Sequence, residues 1–240
     1  MKKGENRDAP ALAALIRRSL RATRISGVED ARRVRRAWSR ALAEEPGRTV
    51  LAAARRLVRG GGWDERLVGC ELLAGHSGAF ALLDDRAVES LATGLADWGS
   101  IDLFGVTVAG PAWRRGLVTG ARVRAWTRSR HRWRRRLALV ATVALNSRSR
   151  GGTGDARRTL DVCRRLAAVR DDMVVKALSW ALRELAKRDP ASVRRFLAEE
   201  GERLAARVRR EVGSKLDTGL KNRPRASRAR ISRVPARRKR

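Results

Sequence analysis

Residues 97–105 read DWGSIDLFG and hold a carboxylate with no charged immediate neighbour: Asp102 lies between Ile101 and Leu103–Phe104, four residues after Trp98. The chain carries 56 Lys and Arg against 25 Asp and Glu, a net charge of +31, so a lone acid in a weakly polar stretch asks for a reason. If the stretch is helical, positions i and i+4 share a face and Trp98 and Asp102 project side by side. A fixed carboxylate beside an aromatic face can stabilise positive charge that develops during a reaction, and can orient a water molecule. The plainer reading, and the better one on these nine residues alone, is a core tryptophan beside an acid that answers the positive end of a helix.

Two further aromatic–charged pairs change the balance. Trp133 precedes Arg136 by three residues in RWRRRLAL, and Trp180 precedes Arg183 by three in SWALREL. Each pair would share a helical face. The tryptophans follow one another at 35 residues (98 to 133) and 47 residues (133 to 180), about one helical pair apiece. Stacked pairs would bring them onto neighbouring ridges of one surface. Rings against deoxyribose with guanidiniums on phosphates would suit a nucleic-acid backbone. Trp133 lies in so basic a run that it reads as structural, leaving Arg136 as the functional member of its pair.

The elements that must position these residues are helical nearly throughout. Apolar residues recur at three- and four-residue spacing in 11–20, 31–45, 48–58, 64–75, 86–98, 132–145, 156–169, 173–187 and 190–200. Breaks are expected at EEPG (44–47), RGGG (59–62), AGP (109–111), SRGGTGD (149–155) and RDP (188–190). Pro190 after Asp189 reads as a helix start. LFGVTVAG (103–110) is ambiguous between helix and strand, because Val and Thr weaken the helix reading. Short amphipathic helices joined by short turns predict an all-α fold, an α-solenoid of HEAT-like helical-pair repeats at roughly 35–45 residues per pair with a concave DNA-binding face. A globular helical bundle is the alternative. The repeat domain is expected over 8–214. Residues 215–240 form a basic tail, whose last twenty residues hold ten basic side chains, no acids and two prolines; that composition predicts disorder.

Composition removes several classes of function. No run approaches the length of a membrane-spanning helix, and the N-terminal apolar run is too short for a signal peptide. Cys70 and Cys163 are the two cysteines, which argues against a disulfide framework and for a reducing, cytoplasmic setting. His76 and His131 lie near neither cysteine nor paired carboxylates, so no metal site is expected. The charge points to a polyanion, nucleic acid before a membrane surface, and arginine dominates, whose planar fork matches phosphate oxygens.

Three segments in order, W98-G-S-I-D102, W133-R-R-R136 and K176-A-L-S-W180-A-L-R183-E-L-A-K187-R-D-P190, resemble the AlkD-type DNA alkylation repair glycosylases. GVEDARRVRR (27–36) resembles the start of an N-terminal helix of that family more loosely, and the resemblance spans about residues 12–214. It implies a HEAT-like superhelix that clasps double-stranded DNA containing alkylated bases. The implied activity is a monofunctional glycosylase that hydrolyses the N-glycosidic bond of cationic N3- or N7-alkylated purines without metal or organic cofactor. It further implies that Asp102 is the catalytic carboxylate, that Trp98 and Trp180 flank the sugar of the damaged nucleotide, and that Arg136 and Arg183 hold phosphates. Asp97 stands where that family often has a second aromatic, and the chain contains no Tyr.

Such a protein is expected to act as a monomer, in the cytoplasm and on the nucleoid. Nearby arginines should keep Asp102 ionised. The competing reading is a non-catalytic helical-repeat DNA-binding protein, for which charge and tail would suffice; the Trp98/Asp102 pair distinguishes them, since phosphate binding has no use for a carboxylate. An RNA-binding role is less favoured, because no aromatic-rich single-strand platform is evident. Nor is there a motif for a pocket that reads a flipped base. Selectivity would then have to come from the lesion's own positive charge.

Overall fold

The computed structural model describes residues 8–222. In chain order the α-helices are α1 (Ala9–Thr23), α2 (Val28–Ala41), α3 (Gly47–Gly60), α4 (Trp63–Gly75), α5 (Ser77–Phe80), α6 (Asp85–Ala92) and α7 (Trp98–Phe104). They continue as α8 (Gly110–Arg114), α9 (Gly120–Thr127), α10 (Arg132–Asn146), α11 (Ala156–Arg165), α12 (Asp172–Leu185), α13 (Pro190–Glu200) and α14 (Ala206–Thr218). No strand occurs among the described residues.

Local signals start many of these helices. The side chains of Asp84, Asp97, Thr119, Asp155, Asp171 and Asp189 each accept a hydrogen bond from an amide of the turn they precede, a contribution of about 1 kcal/mol per cap. Pro190 occupies the first turn of α13, where its missing N–H is of no consequence.

The helices pack in two rows. One row runs α2, α4, α7, α10, α12, α14, each helix against the next. The other holds α1, α3 and α6, then α9, α11 and α13. Hydrogen bonds join α6 to α9 across the middle of that second row: Asp85 accepts from the Thr119 amide at 2.8 Å, and Trp126 Nε1 donates to Glu89 at 2.8 Å. Apolar faces from both rows meet in one continuous core, from Leu12 and Ile16 through Leu57, Leu73 and Phe104 to Leu182, Phe196 and Val212. This serial packing of helix pairs is the expected α-solenoid.

Three expectations are corrected. The periodicity over 86–98 is not one helix: α6 stops at Ala92, Gly94 takes a left-handed φ of 83°, and Asp97 caps a new helix. Trp98 therefore opens α7 instead of closing its predecessor. Residues 103–110 are neither strand nor simple helix. Gly105–Ala109 is a π-turn, the wider i→i+5 winding, inserted between α7 and α8. The break expected at AGP is absent, because Pro111 sits in the first turn of α8, which follows that turn directly, and the Gly110 amide donates to the Gly105 carbonyl. At the other end α14 runs to Thr218, past the 214/215 boundary expected for the tail, and residues 223–240 lie outside the described residues.

Candidate active site

Asp102 lies on the second turn of α7, facing α10. Arg136, on the second turn of α10, donates from Nε to Asp102 Oδ1 at 2.8 Å and from Nη2 to Oδ2 at 2.6 Å. This is the two-pronged pairing for which the guanidinium plane is suited. The third nitrogen, Nη1, donates to the Met173 carbonyl on the first turn of α12. One buried arginine, 5% exposed, thus ties three consecutive helices of the row together around the carboxylate. All three of its nitrogens donate to partners within the fold, so the phosphate role expected of Arg136 would fall to its two remaining N–H groups.

Two glycines let the helices come close enough for that grip. A Cβ on Gly105 would lie 2.6 Å from Val140 Cγ1, and one on Gly110 would lie 2.5 Å from the Ala141 carbonyl oxygen. Only residues without a side chain allow the π-turn and α8 to lie directly on α10. A π-turn beside the candidate site also shifts the register of the helix that follows Asp102.

Burial is the largest influence on Asp102 and lifts its carboxyl above the ordinary 3.8. The hydrogen bonds and charge of Arg136 pull it back, and the charge of Asp97 adds to the lift. The expected ionisation of Asp102 by nearby arginines is therefore a contest: one arginine holds the anion against desolvation. A carboxylate has about four lone-pair sites, so the Arg136 fork leaves others for water or a substrate.

Trp98 is the first residue of α7, one turn before Asp102, and 60% exposed. Asp97 is not a gap where an aromatic is missing: it accepts from the Ser100 amide at 2.8 Å and from Arg66 Nη1 at 3.2 Å. Arg66 Nη1 also donates to Ser100 Oγ at 2.9 Å, which docks α4 onto the start of α7. Burial raises Asp97, but the Ser100 hydrogen bonds and the Arg66 charge outweigh it and hold the group below its ordinary value.

Trp180 lies half-buried on α12, seven residues and two turns beyond Met173, hence on the same helical stripe. Arg183 Nε donates to Ser179 Oγ at 3.2 Å and lies 3.8 Å from Glu211, which also accepts from Ser179 Oγ at 2.7 Å. Burial lowers the pKa of Arg183, and Glu211 and Glu184 offset that. Trp133 is half-buried and packs against the core, as expected of a structural residue. Both cysteines are buried and unpaired, and burial pushes both thiols up. Among the described residues no three His, Cys, Asp or Glu side chains gather as a metal site would require, and no helix is long and apolar enough to cross a membrane.

Sequence reasoning missed two partners here, Arg66 and the Asp102–Arg136 pairing itself. An acid isolated in sequence signals that its counter-charge comes from elsewhere in the fold, but not from where.

The sequence of this solenoid, which presents a half-buried, arginine-held carboxylate beside an exposed tryptophan, matches the family of DNA alkylation repair enzymes over residues 6–216. The chain belongs to that family. It is accordingly an enzyme of DNA alkylation repair, and its partner is DNA. A comparison of the sequence with curated proteins finds no match. The family match covers every helix from α1 to α13 and most of α14, so the whole two-row array, not a part of it, is the repair fold.

Proposed function

We propose that the chain is a monofunctional alkylpurine DNA glycosylase, acting as a monomer on duplex DNA through the helical array that ends with α14, with the basic segment after α14 as an added DNA arm. The observation that carries this reading is the arginine-held Asp102 one turn from the exposed Trp98. In a basic protein whose partner is a polyanion, a carboxylate held beside an exposed indole serves chemistry and not affinity.

Alkylation at N3 or N7 makes a purine cationic. When the C1′–N bond breaks, both electrons leave with the base, which becomes neutral, and positive charge passes to the deoxyribose as in glycoside hydrolysis. Asp102 stabilises that charge from a fixed position and orients the water that adds to C1′, accepting its proton. Trp98 and Trp180 offer aromatic faces to the same cationic sugar. Arg136 keeps Asp102 ionised and aimed, at some loss of field because its own charge is nearby. Arg183, one turn beyond Trp180 on α12, is the candidate phosphate-binding residue.

With no residue assigned to protonate the departing base, only a leaving group that is already activated should be released. The test is a set of duplexes, each with a single lesion, incubated with purified protein in the presence of a chelator and scored for released base. Release of 7-methylguanine and 3-methyladenine is expected, with uracil, hypoxanthine and normal purines retained. No release of either cationic base would leave a DNA-binding protein without glycosylase activity, and efficient uracil release would require a base-reading pocket.

A further inference from the structure

We propose that Trp63 is a positioning residue of this site: a second exposed indole that lies against the nucleotide next to the damaged one. The inference rests on the glycosylase reading and deepens it.

Trp63 and Trp98 are the two aromatic side chains left exposed among the described residues, at 40% and 60%. The other five tryptophans and all three phenylalanines are buried or half-buried. Each exposed indole is the first residue of a helix, Trp63 of α4 and Trp98 of α7, and the two helices are neighbours in one row. They also lie close together. Trp63 Nε1 is 3.8 Å, and its Cδ1 4.0 Å, from the place a Cβ would take on Gly99, the residue after Trp98.

The arrangement is braced. Arg66, one turn beyond Trp63 on α4, holds Asp97 and Ser100 on either side of the Trp98–Gly99 step. The two helix starts are therefore tied to each other beside the indoles. Two adjoining indoles left in water form a contiguous apolar patch, the kind of surface that marks an interaction site. In a chain of net charge +31, the ligand that combines apolar faces with negative charge is a nucleotide. Indole faces stack on bases and sugars whatever the sequence, and an indole N–H can donate to a phosphate oxygen. Trp98, one turn from Asp102, takes the damaged nucleotide, so Trp63 on the preceding helix takes its neighbour.

The experiment compares Trp63→Ala, Trp63→Phe and wild type. It measures single-turnover excision from a duplex with one 7-methylguanine, and affinity for an undamaged duplex and for one carrying a tetrahydrofuran abasic analogue. Trp63→Ala should keep its Tm and its affinity for undamaged duplex, while its preference for the analogue and its excision rate each fall roughly 5- to 150-fold, the range expected when one stacked ring is removed. Trp63→Phe should recover most of both. Wild-type preference and rate in the alanine variant would overturn the proposal, as would a phenylalanine variant as defective as the alanine one. If the alanine chain proves unstable, Trp63→Gln supplies the same comparison. If wild type excises nothing, the glycosylase reading fails by itself; the preference for the analogue still decides the role of Trp63, and a wild type without that preference overturns it.

Discussion

Arg136 grips Asp102 through Nε and Nη2 at 2.8 and 2.6 Å, across the interface of α10 and α7, while its remaining nitrogen holds the start of α12. Three of the five N–H groups of the guanidinium are thereby engaged within the fold. In the proposed mechanism its contribution passes through the carboxylate that it orients.

Replacing Asp102 with Asn should lower the single-turnover excision rate by about 10²–10³, the usual effect of losing one preorganised electrostatic group. The variant should fold, because Asn keeps an acceptor for Arg136. It should also be less stable by about 1.5–3 kcal/mol, since a buried arginine is deprived of one charge-assisted hydrogen bond. Thermal unfolding alongside excision assays checks both, and wild-type excision by the Asn variant would rule out the mechanism.

Arg136→Gln should move the acid limb of the pH–rate profile to higher pH. The Asp102 carboxyl already lies above its ordinary value, so the reactive anion is lost as pH falls through that raised value. Removing the two influences that lower it, the hydrogen bonds and charge of Arg136, raises it further. The stability sign runs the other way: the folded chain holds this proton more tightly than the unfolded one, so stability from this group declines as pH rises from the ordinary value through the raised one. Affinity for undamaged duplex should barely change, and Arg136→Lys should recover part of the rate. An unmoved acid limb with weakened duplex binding would instead support a phosphate role.

Gly110→Ala should destabilise the protein by about 1–3 kcal/mol, as overpacking does, and so lower Tm by roughly 2–10 °C. The new methyl would meet the Ala141 carbonyl at 2.5 Å and Ala144 Cβ at 2.6 Å, and backbone cannot step aside as a flexible side chain can. Excision should fall as well, because the same close approach sets the distance between α7 and α10. Gly213→Ala, within α14 and with nothing within 4 Å, is the control of opposite sign. It should gain up to about 1 kcal/mol from helix propensity. Equal Tm values for the two variants would contradict the packing account.

Deleting residues 223–240, which hold nine Lys and Arg and no acid, should weaken binding to every DNA sequence. The plot of log affinity against log salt should become shallower by about 0.9 for each phosphate that the chain no longer neutralises. Single-turnover excision at saturating protein should stay close to wild type. A salt slope equal to that of the full chain would show that the segment is not a DNA arm.

What the sequence alone determined is what neighbours within about a turn control. Apolar spacing announced the helices, Asp189–Pro190 announced the start of α13, and the order of the three tryptophan segments pointed to the repair family now matched over residues 6–216. Even locally, periodicity ran through Gly94 and Asp97 as though they were helical, because an apolar pattern carries no record of backbone φ or of which acid will cap a turn. Only the tertiary structure decided that Asp102 pairs with Arg136, 34 residues away, and that Trp63 lies beside Trp98 while Trp113 and Trp126 are buried. Those outcomes depend on how closely α7 can lie on α10 and α4 on α7. That closeness is set by glycines and side-chain volumes on different helices at once, a sum over distant residues that no single stretch of chain contains.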